Sequence, residues 1–131
     1  MKKNMNSSEI STSEYNSFYQ AYINLNEEIA LIEALEKGLN ITKLFFESIP
    51  ENKWDYKYAV GKWTPKDILL HITDAERVFA YRALYFSRFI NADLKGFDEN
   101  IFAANAGADI QTVCALIQNY ESVRDATLTL I

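Results

Sequence analysis

His71, the one histidine of the chain, stands among carboxylates: Asp67 before it, Asp74 and Glu76 after it. On a helix, residues three and four apart share a face, so His71 and Asp74 can reach a single ion. Imidazole suits zinc, nickel, iron and copper, and a catalytic zinc keeps one position open to water. Asp67, Asp74 and Glu76 can also serve as a catalytic base. The plainer alternative is a half-buried histidine bonded to Asp67 or Asp74, with Asp74 paired to Arg77. Such a pair, if exposed, contributes less than about 1 kcal/mol. Donors from one helix make an incomplete metal site, and no second histidine exists in the chain to extend it.

Other residues carry weaker signals. Arg82 and Arg124 fall on or near the inward stripes of their helices. Each can bind an anionic group or close a salt bridge across a bundle, Arg124 with Glu121 or with an acid on a neighbouring helix. Buried charges are normally paired, which favours the bridge for Arg124. Trp63, Tyr56 and Tyr58 can line a pocket mouth or plug the place where a loop crosses the bundle. The plug is favoured, because aromatic rings dominate small cores. Cys114 lies on an apolar stripe and reads as an inert core thiol rather than a nucleophile. A Gly-rich phosphate loop, a Ser/His/Asp arrangement and a paired-cysteine zinc motif are all missing from the sequence.

The elements that must position these groups are helices. Leu25, Ile32, Leu35, Leu39, Phe46 and Ile49 recur at helical spacing, off which lie Glu27, Glu28, Glu33 and Lys37. They predict a helix near 26–49, ended by Pro50. Upstream, Ser13-Glu14 can begin a shorter helix through Tyr15, Phe18, Tyr19 and Tyr22. Thr64-Pro65 reads as an N-cap followed by the first helical position, with Asp67 at the positive end of the dipole. That helix is predicted over 65–90, with Ile68, Ile72, Ala75, Phe79, Ala83, Phe86 and Ile90 as its main apolar face. Residues from Asn91 to Gly107 read as irregular, with a short helix around Glu99–Asn105. Asp109 reads as the N-cap of a last helix over 109–131, whose stripe is Ile110, Val113, Cys114, Ile117, Tyr120, Leu128 and Ile131. Period 3.6 prevails in every long segment, so the class is all-α.

Three groups of residues resemble the DinB-like superfamily. They are Gly61-Lys62-Trp63-Thr64, the run from His71 to Leu84, and Gly96-Phe97-Asp98-Glu99-Asn100, with Val123-Arg124 as a fourth short match. The resemblance implies an up-down four-helix bundle. It implies a divalent metal of the zinc or nickel type held by three histidines, one of them at the place of His71. Asp67, Asp74, Arg82 and Trp63 would then stand around the metal or line its pocket. It further implies thiol-transferase or hydrolase chemistry on a small molecule. The histidine-bearing fourth helix is missing from the sequence given, so the implied site is incomplete. The alternative is a non-catalytic helical module.

A length of 131 residues bounds the chain to one domain, in which residues 1–12 are expected to be mobile. A net charge of −5 and a pI near 4.9 argue against nucleic acid. Lack of a signal-like segment and of a membrane-length apolar run points to the cytoplasm rather than a membrane. A single cysteine excludes an intramolecular disulfide. The sequence ends Leu128-Thr129-Leu130-Ile131, in an apolar part of a helix. This reads as a bundle cut inside or after its third long helix, and leads us to expect a homodimer in which a second copy covers the open stripe.

Overall fold

The computed structural model describes residues 5–26, 29–89 and 93–131. Glu27, Glu28, Ile90 and Asn91, which figure in the expectations above, lie outside the described residues. The helices are α1 (Gln20–Asn24), α2 (Leu31–Glu47), α3 (Pro65–Arg88), α4 (Glu99–Asn105) and α5 (Val113–Leu130). Among the described residues there is no strand, only an isolated antiparallel bridge between Asn6 and Ala30. The all-α, bundle-like reading therefore holds. Helix α5 is the hub, packing on both α2 and α3, while α4 lies against α3. No helix of the described residues is long and apolar enough to cross a membrane.

The start of α3 follows its sequence signature. The Thr64 hydroxyl accepts from the Asp67 amide at 3.1 Å, and the Asp67 carboxylate accepts from the Thr64 amide at 2.9 Å. This reciprocal box satisfies two amides that a helix start leaves open. Pro65 at the first helical position has no amide hydrogen to lose. Helix α4 also forms where expected, with Asp98 accepting from the amides of Asn100 and Ile101.

Other boundaries differ from expectation. Helix α2 begins at Leu31 rather than near 26, because Ala30 is extended and pairs with Asn6. The Leu31 amide donates to the Met5 carbonyl at 2.8 Å, so the chain ahead of α2 holds its start in place. Leu25 is then outside the helix and exposed. The upstream helix does not start at Ser13-Glu14. Asn16 caps a 3₁₀ turn at Ser17–Tyr19, which runs into α1. The last helix is capped by Thr112, whose hydroxyl accepts from the Ala115 amide at 3.2 Å. Asp109 instead sits in a 3₁₀ turn that follows Gly107, a residue with φ of +66°.

The core contains Phe46, Trp54, Leu69, Leu70, Ala108, Leu116 and Tyr120. On α5 the buried face is Leu116, Tyr120, Val123 and Thr127. Of the predicted stripe, Tyr120 is buried and Val113 and Ile117 pack partly buried against the core, while Ile110 and Cys114 are exposed. Cys114 is thus not the core thiol expected from its spacing. In the 50–63 segment the plug is Trp54, stacked on Phe46 with ring centroids 5.9 Å apart. Tyr56 and Tyr58 are exposed. Helix α3 shows the largest departure. It buries Leu69, Leu70 and Thr73, while Ile68, Phe79 and Phe86 of the predicted core face remain 41%, 54% and 56% exposed. The helix carries two apolar faces, and α5 covers only one of them.

Candidate functional site

His71 projects from the second turn of α3 and is half-buried. Its ring lies against Trp63, with centroids 4.7 Å apart and planes tilted by 48°. The helix start that locks Thr64 also fixes Trp63 just ahead of it, so one local motif builds both halves of this contact. Tilted ring packing of this kind stabilises through dispersion and quadrupole terms. The two residues singled out by sequence therefore meet.

The carboxylates do not join them. The Asp67 carboxylate is occupied at the helix start, accepting also from the Thr64 hydroxyl at 2.9 Å. Asp74 takes the Arg77 guanidinium at 3.0 Å, as expected, and Arg77 reaches on to Asn119 of α5 at 2.6 Å. Glu76 faces the other way, into the bundle. Among the described residues, no group of three His, Cys, Asp or Glu side chains is placed to hold an ion. The residues present do not fit the three-ligand metal centre that the resemblance implies.

Arg82 lies over the rings of Phe79 and Phe97, at 5.4 and 5.9 Å, and donates to the Lys95 carbonyl at 3.4 Å. It pins the segment after α3 back onto that helix by cation–π contact.

The arrangement that sequence spacing did not join is a three-helix clasp. Arg124 of α5 donates from Nε and Nη2 to the two carboxylate oxygens of Glu76 on α3, at 2.7 and 2.9 Å. Its Nη1 donates to the Leu35 carbonyl of α2 at 2.7 Å. The pair is nearly buried, with side chains 14% and 11% exposed. Bidentate geometry of this kind is the strong form of an ion pair. Burial, the largest single influence, works to lower the Arg124 pKa, but the Glu76 hydrogen bonds and the charge interactions with Tyr120 and Glu76 together raise it. A raised arginine stays charged at every working pH, so the cation of the clasp is permanent. Both residues were candidates from sequence, but as a ligand and as a cross-bundle cation. Only the second role is seen; of the two partners expected for it, Arg124 takes the acid on a neighbouring helix, Glu76, while Glu121 takes Lys43 of α2 at 2.6 Å.

Beside the clasp runs an open apolar groove of about 410 Å³. Leu31 and Leu35 form one wall, Ile72, Ala75 and Phe79 the other, and the end of α5 the floor. Through Phe79, the exposed face of α3 forms the outer lip of this groove.

Nothing among curated proteins and nothing among solved structures matches the chain. The DinB superfamily profile matches residues 34–131, which take in α2 from its second turn and all of α3 to α5, and so the clasp, most of the groove and His71. With more than half its length matched and an all-helical bundle built from that span, the chain belongs to the DinB superfamily.

Proposed function

We propose that the chain is a self-associating DinB-superfamily module in which the α3 lip of one copy seats in the groove of a second. The observation that supports this reading is the uncovered second face of α3. Phe79 and Phe86 lie seven residues apart on one ridge, and Ile68 precedes them on the same side. Aromatic side chains carry ~150–250 Å² each, so a half-exposed one offers roughly 100 Å². Together with Leu31, Phe89, Leu130 and the groove walls, the face approaches the ~800 Å² per partner of a stable interface. A ridge beside a groove is complementary to its own copy through a two-fold axis. Sedimentation equilibrium at low micromolar concentration tests this. The wild type is expected to be a dimer, Phe79→Glu a folded monomer, and Ile110→Glu, away from the groove, still a dimer. A monomeric wild type overturns the proposal.

Metal-dependent transferase or hydrolase chemistry on a small molecule is the other reading the superfamily suggests. Its support here is one half-buried imidazole beside a tryptophan. A catalytic zinc takes about three protein ligands, so His71 needs donors that its neighbours do not offer. Purified protein is expected to carry well under one zinc or nickel per chain, by elemental analysis, with no difference in His71→Ala. Stoichiometric metal that disappears in His71→Ala would instead make His71 a ligand and restore the metal-dependent reading.

A further inference from the structure

The residues that precede the superfamily match build a second cavity, on the other side of the clasp from the α3 lip. Residues 5–26 fold back over the first turns of α2. The Asn6–Ala30 bridge, with the Leu31 amide on the Met5 carbonyl, holds them there, and the Ser7 hydroxyl on the Asn26 carbonyl at 3.0 Å ties the two ends of the segment together. Beneath them is a space of about 550 Å³. Small-molecule pockets span ~300–1,000 Å³ and are mostly apolar with a few placed polar groups. This one fits that description. Tyr19, Tyr22, Ile23, Leu31 and Leu35 supply its walls, and Arg124 supplies a cationic edge.

The chemistry of Arg124 narrows the ligand. A guanidinium has five N–H donors. The clasp uses one hydrogen on each nitrogen. One hydrogen on Nη1 and one on Nη2 therefore have no acceptor among the described residues. Glu76 already neutralises the guanidinium, and a ligand carboxylate would be repelled by that nearby charge. A neutral oxygen accepts without this repulsion. Tyr19 and Tyr22 line the cavity and are exposed overall, so an apolar body seated there would cover part of their rings. We infer that this cavity binds a neutral, largely apolar small molecule whose carbonyl or amide oxygen accepts from Arg124. The site is independent of self-association through the α3 lip, although Leu31 and Leu35 border both spaces.

The neutral naphthalene ketone Prodan is a suitable probe, since its emission moves to the blue in apolar surroundings. Full-length protein is expected to bind it saturably, one molecule per chain. Ala34 lies in the cavity wall and Ala83 in the separate groove. Ala34→Phe fills the cavity and is expected to weaken binding at least about tenfold, the equivalent of ~1.4 kcal/mol. Ala83→Phe is expected to leave it unchanged. In the wild type, Prodan is expected to move the amide resonances of Ile23, Ala34 and Gly38, which decides the matter even if Ala34→Phe fails to fold. Non-saturable binding, equal affinity in a folded Ala34→Phe, or shifts centred on Ala75 and Ala83 would each overturn the inference.

Discussion

Arg124→Ala is expected to destabilise the fold by about 3 kcal/mol, the lower part of the range for breaking a buried ion pair. For a chain of this size the loss corresponds to a melting temperature lower by roughly 10 °C. The cost arises from what is left behind. Glu76 keeps its charge, nearly buried, with no guanidinium to accept from. The Leu35 carbonyl loses the lesser contact, since it retains its place in the α2 ladder. Removing both charges tells a different story. Glu76→Leu with Arg124→Met places apolar side chains of similar volume between three helices, and is expected to lie within about 1 kcal/mol of the wild type. Urea denaturation of the two single variants and the double variant measures the coupling. A double variant as unstable as the sum of the singles would show that the clasp stabilises by more than avoiding a lone charge.

Trp54→Ala is expected to cost more, about 3–5 kcal/mol, the range for deleting a large aromatic side chain from a core. Trp54 is 4% exposed and stacked on Phe46, so its removal opens a hole between the end of α2 and the rest of the core. Trp54→Phe keeps the stack and is expected to cost less than half as much. Trp63→Ala removes a half-exposed ring and serves as the comparison, at about 1 kcal/mol. Equal losses at positions 54 and 63, read from urea midpoints, would show that the core does not centre on Trp54.

These positions also show what a sequence reading can reach. The start of α3 was readable because every participant, Thr64, Pro65 and Asp67, lies within four residues and acts through local geometry. The start of α2 was not, because Ala30 is held extended by Asn6, a residue 24 positions away. Periodicity marked the apolar face of α3 that the fold leaves open. It had no means of choosing between two apolar faces, since that depends on which one α5 meets. For Trp54 against Tyr56 and Tyr58, composition is silent, and contact with Phe46 decides. At the site, His71 and Trp63 were both singled out from the sequence, and they touch. Glu76 and Arg124 were singled out separately, and nothing in spacing joins residues on different helices.

The clasp also constrains how sequences of this kind can diverge. Gly38 lies in the middle of α2, where alanine would favour the helix by about 0.5–1 kcal/mol. A methyl group there would stand 3.1 Å from Nη1 of Arg124. The guanidinium has little freedom to yield, tied as it is to Glu76 and Leu35. Position 38 is therefore not free to drift toward the better helix former while position 124 keeps its arginine. The two sites are linked across 86 residues of chain, and a lineage that loses the arginine first gains the alanine without penalty.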